Sequence, residues 1–428
     1  MKILIKNGTI VNADKIFEGD ILLSNSKIIS VGKNIPESAD KVIDAKGKHV
    51  FPGFIDLHVH LRTPGREDEE DFLSGSKAAA AGGFTKIFCM PNTNPAIDAE
   101  SIAQWIIDES LRLGVVDIYP IGAITKGREG KELTEFSALK RAGCLMLSDD
   151  GASVSDSLLL RRALEYSQME NLLIVSHCED IRLSGKGAMR EGVISSKYGI
   201  RAVPDIAESL IVARDIELAK YLNKRIHIAH VSTAKSVEII ERAKKQGVKV
   251  TAETAPHYFT LTVADVEKSK FNSNFKVNPP LGDDKDVAAI KQALGKGVID
   301  CIATDHAPHS QAEKELPFDV APFGFIGLET AFSLTCTYLV KNKVIDLGGV
   351  TEKLSANPAK ILGFKQCGKI EKDADPSIVI ADLNKKWRVS AAGFHSKSKN
   401  SPFLGEELLG VIEYTIHKGK VVYSGSNR

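Results

Sequence analysis

Two histidines, His58 and His60, stand one residue apart in Phe54-Ile55-Asp56-Leu57-His58-Val59-His60-Leu61-Arg62, a stretch introduced by Pro52-Gly53. The run of apolar and β-branched residues after a Pro-Gly turn predicts a strand. Side chains two apart on a strand share a face, so both imidazoles can reach one metal ion while Leu57, Val59 and Leu61 pack the other way. Two imidazoles are an incomplete ligand set, and the chain offers more: Asp149-Asp150, His177, His230 and Asp305. Imidazole and carboxylate donors without thiolates suit zinc, with manganese, cobalt or iron as alternatives. Two His pairs with a carboxylate between them can hold two ions about 3.5–4 Å apart. Such ions bring the pKa of bound water to about 7 and polarise a carbonyl, which is hydrolytic chemistry. Asp305 is then a natural proton carrier to a leaving nitrogen. Each residue alone also has a plain structural reading, a histidine as hydrogen-bonded filler and an aspartate as a turn cap.

What joins these residues is where they fall. Eight short apolar segments, 54–60, 85–90, 116–121, 144–148, 172–177, 225–230, 248–253 and 300–305, alternate with amphipathic stretches such as 98–113, 155–169, 205–222 and 233–245. Ser232-Thr233 is a candidate cap for the last of these. The alternation predicts a parallel sheet with helical crossovers, and eight repeats fit a (β/α)8 TIM barrel. His58 and His60, Asp149-Asp150, His177, His230 and Asp305 then sit at the carboxyl ends of five strands, on the face where sites of this fold are built.

Before the barrel, 21–23 and 27–31 flank Ser24-Asn25-Ser26, a hairpin signal, and 41–44 precedes Lys46-Gly47-Lys48. The end of the chain has the same texture at 378–381, 410–416 and 420–423. The two termini are therefore expected to form one small discontinuous β-sandwich: residues 1–52 and 365–428 as its halves, with the metal-dependent hydrolase barrel, 53–364, inserted between them.

A chain of 428 residues, 43% hydrophobic, can bury a core of this size. Lys and Arg number 56 against 55 Asp and Glu, so no basic excess speaks for nucleic acid. No apolar run approaches the roughly 20 residues of a membrane span and the start turns polar early, so a cytoplasmic protein is expected. Six scattered cysteines without CxxC spacing read as reduced thiols.

Longer motifs narrow the reading. Asp56 through Arg62 with Pro64-Gly65, Gly82-Gly83-Phe84-Thr85 with Met90-Pro91-Asn92-Thr93, Ser148-Asp149-Asp150-Gly151, and His230-Val231-Ser232-Thr233 lie along the barrel. Lys276-Val277-Asn278-Pro279-Pro280-Leu281, Ala303 through His309, and Asn400-Ser401-Pro402-Phe403 with Gly405 complete the set. With these the sequence resembles the amidohydrolase superfamily and, within it, the bacterial dihydroorotases, over nearly its whole length.

The resemblance implies that His58, His60 and Asp305 serve one metal, that His177 and His230 serve another, and that Asp150 bridges them. Related cyclic amidases bridge with a carboxylated lysine; the matching strand end here carries Asp149-Asp150, either of which can be read as the substitute. It implies one or two Zn2+ per subunit, Asp305 as the catalytic acid–base, and a substrate, dihydroorotate or N-carbamoyl-aspartate, held by Arg62, Asn92, Asn278, His309, Phe323 and Gly324. It also implies a homo-oligomer, with aspartate transcarbamoylase as a candidate partner. Another cyclic amidase, an allantoinase or a dihydropyrimidinase, and a non-catalytic relative stay open as alternatives. Two departures are on view: Glu69 where a lysine is common, and Asp373 where a glycine is usual. His49, His227, His257, His395 and His417 read as structural, and His306 as structural or as support for a ligand.

Overall fold

The computed structural model describes residues 1–36 and 38–425. Eight parallel strands form its centre: Phe54–Val59, Phe84–Cys89, Asp117–Pro120, Met146–Leu147, Leu173–Ser176, Ile226–Ile228, Val250–Thr254 and Cys301–Ile302. The first three pair in chain order, and so do the last five. Single bridges, Gly122 to Leu147 and Val59 to His306, join the two groups and close the ring. This is the expected (β/α)8 barrel.

Alternation along the strands sorts the core. Phe88, Met146, Leu173, Val175 and Cys301 cluster with Ile55 and Met90 inside the barrel. Ile87, Leu147, Ile174, Ile228 and Ala252 pack outward against the helices. Burying one such side chain contributes about 1.5–3 kcal/mol. Strand one departs from strict alternation. Its register against the second strand shifts between Asp56 and Val59, and Leu57 joins the interior cluster instead of packing with Val59 and Leu61 in the outer layer.

The helices Glu100–Leu113, Ser157–Met169, Ile206–Leu222 and Ala234–Lys245 fill the expected gaps. Thr233 caps the last, accepting from the Ser236 N–H, and Asp156 caps the second by accepting from Leu158 and Leu159. Between the fifth and sixth strands, Ile181–Ser184, Val193–Tyr198 and a two-strand ladder of Met189–Arg190 with Ala202–Val203 make an excursion without clear periodicity in sequence.

Except for the seventh, Val250–Thr254, which runs one residue past its expected end, the observed strands stop short of the expected ends, and His60, His177, His230 and Asp305 follow the last paired residue. At three of these turns the backbone enters the left-handed region: φ is 60° at Arg62, 33° at His230 and 50° at Asp305. Non-glycine residues there carry strain of order 1–3 kcal/mol.

Strands from both termini share one sheet. Ile378–Arg388, Glu407–His417 and Lys420–Ser424 pair next to His49–Pro52, which leads to Ile3–Val11, Ile16–Leu23 and Ile28–Gly32. Ile3, Ile5, Ile21, Ile43, Ile378, Ile380 and Ile416 form their own core. Asp373 occupies a φ of 68°, which explains why glycine is the unstrained residue there, and Lys27 pairs with it at 2.5 Å. No helix among the described residues is long and apolar enough to cross a membrane.

Candidate active site

At the carboxyl face of the barrel, four imidazoles converge on one carboxylate. Asp150 Oδ1 lies 3.5 Å from His58 Nε2, 3.4 Å from His177 Nδ1 and 3.5 Å from His230 Nε2. Its Oδ2 lies 3.6 Å from His60 Nε2. Asp305 Oδ1 adds contacts of 3.2 Å to His60 and 3.6 Å to His58. The donor atoms of His58, His60 and Asp305 fall within 4.8 Å of one another, as do those of His58, Asp150 and His230. His177 joins through Nδ1, 2.7 Å from His230 Nε2. All six residues are buried.

The outer nitrogens decide which ring nitrogen is bare. His58 Nδ1–H donates to Glu253 at 3.0 Å, His60 Nδ1–H to Asn92 Oδ1 at 2.8 Å, and His177 Nε2–H to Glu179 at 2.9 Å. His58, His60 and His177 thus turn toward Asp150 the nitrogen that can take either a cation or a proton. His58 Nε2 and Asp150 Oδ1 are buried without a hydrogen-bond partner. Orphaned acceptors of this kind, in an all-imidazole and carboxylate set, fit a divalent cation. The field agrees. Burial opposes charge on Asp150, but His58, His177 and His230 hold its carboxyl well below the usual range. Burial likewise opposes charge on His177, yet Asp150 and Glu179 raise it to about 10.

Asp149 faces the other way. It accepts from the N–H groups of Ile124 and Thr125 at 2.8 and 3.0 Å and from the Thr125 hydroxyl. Of the adjacent pair, only Asp150 is turned to the imidazoles.

Sequence reasoning passed over several supporting residues. Glu253, at the end of the seventh strand, was available to the same strand-end rule as the others; it joins His58 and lies 3.2 Å from His227. Glu179 stands two residues after His177. Arg128, on the loop after the third strand, donates to the Asp150 carbonyl at 2.5 Å. Asp56 accepts from the Thr304 N–H and hydroxyl at 3.0 and 2.6 Å and so anchors the backbone next to Asp305. His257, read as structural, lies on the turn Pro256–Phe259 after the seventh strand, with its unpartnered Nε2 4.0 Å from Asp305 Oδ2. Burial lowers its pKa to about 4, so it is neutral. His306 binds Glu70 at 3.2 Å and accepts from the Gly327 N–H, a supporting place away from Asp150.

A second group of side chains surrounds Arg62. Its Nε–H donates to the Pro308 carbonyl at 2.9 Å and its Nη2 to His309 Nε2 at 3.1 Å. Asn92 spends Oδ1 on His60, which leaves its amide hydrogens for a ligand. Asn278 donates to Glu179 at 2.9 Å. Phe323 places its carbonyl 2.7 Å from His309 Nε2. Gly324 follows at a φ of 116°, where a Cβ would come 2.5 Å from the Ala307 Cβ, so only glycine fits.

A dihydro-orotase-like family model matches residues 47–236. The dihydroorotase of Elusimicrobium minutum is 50% identical over 98% of this chain and 97% of its own length. That of Caldanaerobacter subterraneus subsp. tengcongensis is 45% identical over 100% and 99%. The chain belongs to the dihydroorotase family. Dihydroorotases are metal-dependent cyclic amide hydrolases, and the side chains around Asp150 include two groups that could hold a metal ion. Two solved structures share the dihydroorotase architecture. The dihydropyrimidinase of Brevibacillus agri NCHU1002 aligns with a TM-score of 0.87 at 26% identity, covering 99% of this chain and 95% of that one. The L-hydantoinase of Arthrobacter aurescens aligns at 0.88 and 26%, covering 99% and 96%.

Proposed function

We propose that this chain interconverts L-dihydroorotate and N-carbamoyl-L-aspartate, working toward ring closure in pyrimidine biosynthesis, with zinc in the cluster around Asp150. The observation that carries the reading is Arg62, a guanidinium two residues from His60 at the edge of a metal-fitting cluster. A cyclic amide with a carboxylate outside its ring meets both features, whereas a neutral ring offers no carboxylate to the guanidinium hydrogens that Pro308 and His309 leave over.

His58, His60 and Asp305 would hold one ion, His177 and His230 a second, and Asp150 would lie between, so one or two ions per subunit suit the set. A divalent ion bound there supplies Lewis-acid polarisation and an acidified water. The chain's own residues do the rest. Asp305 gives Oδ1 to His58 and His60, leaving Oδ2 to take a proton during ring opening and deliver it to the departing ring nitrogen. Burial opposes its charge, but His60 and His58 hold its pKa well below the usual range, so it starts ring opening as a base. Arg62 and Asn92 receive the exocyclic carboxylate, Asn278 and His309 orient the ring, and Phe323 with Gly324 shape one wall. Opening breaks the ring C–N bond, forms a C–O bond and releases a proton from the new carboxylic acid. Closure consumes that proton, and lower pH favours it.

The test is the fall in dihydroorotate absorbance with zinc-supplemented protein, beside allantoin and dihydrouracil. Turnover of dihydroorotate alone is expected, with kcat/KM lowered at least about a hundredfold by Arg62→Ala, the scale expected when a charged bidentate hydrogen bond is removed. Turnover of the neutral rings instead would move the assignment to the activity named for the solved structures. Silence on all three with metal bound, persisting when aspartate transcarbamoylase is added, would end the catalytic reading.

A further inference from the structure

Glu69, the residue that departs from the family pattern, is only 2% exposed. It lies on the loop between the first barrel strand and the helix Phe72–Ala81, behind the two side chains proposed to meet the substrate carboxylate. Its Oε2 is 3.1 Å from Arg62 Nε, and its Oε1 is 2.9 Å from His309 Nδ1 and 3.1 Å from Arg66 Nη2. Its own backbone is tied down, the N–H donating to the Arg66 carbonyl at 3.0 Å and the carbonyl accepting from the Ser398 hydroxyl at 2.7 Å.

The donor atoms of Glu69, His309 and Glu313 lie close enough together to suggest a metal site. Two guanidinium groups already occupy the carboxylates, since Arg66 also pairs with Glu313 at 2.9 Å. The cluster is an ion-pair network, and its place beside Arg62 and His309 gives it another use.

We infer that Glu69 is a positioning residue that sets the substrate-carboxylate subsite by gripping Arg62 and His309 together; this rests on the function proposed above. On Arg62 its Oε2 holds the Nε edge as an ion pair at 3.1 Å beside the Nε–H bond to the Pro308 carbonyl, so the Nη hydrogens that His309 does not take are the ones left to meet a ligand. On His309 it accepts the Nδ1–H, which fixes the ring's orientation and holds Nε2 3.1 Å from Arg62 Nη2 and 2.7 Å from the Phe323 carbonyl. A carboxylate behind the subsite also repels an anionic ligand, an effect opposite in sign. Arg66 offsets that repulsion, and the ion pair to Arg62 and the hydrogen bond from His309 are short and buried, so orientation outweighs it.

The test uses Glu69→Leu and Glu69→Gln in the metal-loaded full chain, with zinc content and melting temperature confirming the fold. Glu69→Leu is expected to raise KM for dihydroorotate about tenfold or more with kcat within about threefold of wild type. Glu69→Gln has one amide oxygen for two donors and should fall between. Inhibition by orotate, which carries the carboxylate, should weaken in parallel, while inhibition by uracil, which lacks it, stays unchanged; a merely structural role would move both. Unchanged KM in both variants, a lower KM, or equal weakening of orotate and uracil binding would overturn the inference while wild-type turnover and its absence in Arg62→Ala left the proposed function standing. A wild type that does not prefer orotate to uracil would remove the subsite and the role of Glu69 with it.

Discussion

Asp149 and Asp150 are neighbours of one type with opposite surroundings, and the difference can be measured. Asp149 is answered by two backbone N–H groups and a hydroxyl, whereas Asp150 faces four imidazoles and leaves one oxygen orphaned. Asp150→Asn should therefore abolish binding of at least one zinc per subunit, read by metal analysis after dialysis. Asp149→Asn should keep the metal and lower unfolding free energy by about 1–3 kcal/mol, the cost of disturbing a buried acceptor. Reversed outcomes would exchange the two roles. Glu253 makes a second residue-scale case, because it fixes His58 by its Nδ1–H at 3.0 Å. Glu253→Gln should weaken zinc affinity about ten- to a hundredfold, measured by chelator competition. The sequence made the clustered side chains legible because histidine and aspartate at strand ends are few and chemically distinct. It did not separate Asp149 from Asp150, since adjacent residues differ only in which way the turn points them. Glu253 went unread and His257 was read as structural because buried acids and imidazoles serve structure as often as chemistry.

At the scale of elements, the segment 317–327 that carries Phe323 and Gly324 is fastened by two lysines. Lys314 donates to the carbonyls of Pro322 and Gly324, both at 2.9 Å, and Lys276 donates to the Asp319 carbonyl at 3.0 Å while lying 4.5 Å over the Phe323 ring. Burial, with repulsion from Lys276 and Arg62, lowers Lys314 to about 7. Lys314→Met should free the segment, raising KM for dihydroorotate several-fold and exposing 317–327 to limited proteolysis. The pH dependence has a definite sign. The unfolded chain titrates this lysine near 10.5 and the folded one near 7, so between those values the unfolded state binds more protons and stability rises with pH. The Met variant should lose part of that rise in melting temperature between pH 7 and 10; an identical slope would remove Lys314 from the effect. The eight barrel strands were readable because each is an apolar run bounded by breakers. Their true ends and the excursion at 181–203 were not, since pairing stops where the backbone turns left-handed and short turns leave no periodic trace.

For the whole molecule, the cluster is a cross-link between parts distant in sequence. His58 and His60, Asp150, His177, His230 and Asp305 come from the first, fourth, fifth, sixth and eighth strands, and an ion held as proposed would tie these five around the ring. That bond exists only in the folded chain, so metal stabilises by mass action, about 4 kcal/mol when free ion stands a thousandfold above its dissociation constant. Removing the ion leaves Asp150 and Asp305 buried against imidazoles that must then take up protons to balance them, as the raised pKa of His177 near 10 indicates. Chelated protein is therefore expected to melt several degrees lower than zinc-loaded protein, with the melting temperature climbing as zinc is titrated back. Its metal-free form should also lose stability as pH rises through about 10, because His177 is protonated in the folded state above the pH at which the unfolded chain releases that proton, near 6.5. The stabilisation is full below about 6.5 and fades between there and 10, whereas in the zinc-loaded form the ion takes the proton's place and this fading should be absent. Scanning calorimetry of the two forms across pH 6 to 10 separates the cases. Parallel stability curves, or a melting temperature indifferent to complete removal of metal, would mean that the cluster does not bind an ion tightly enough to hold the barrel face together.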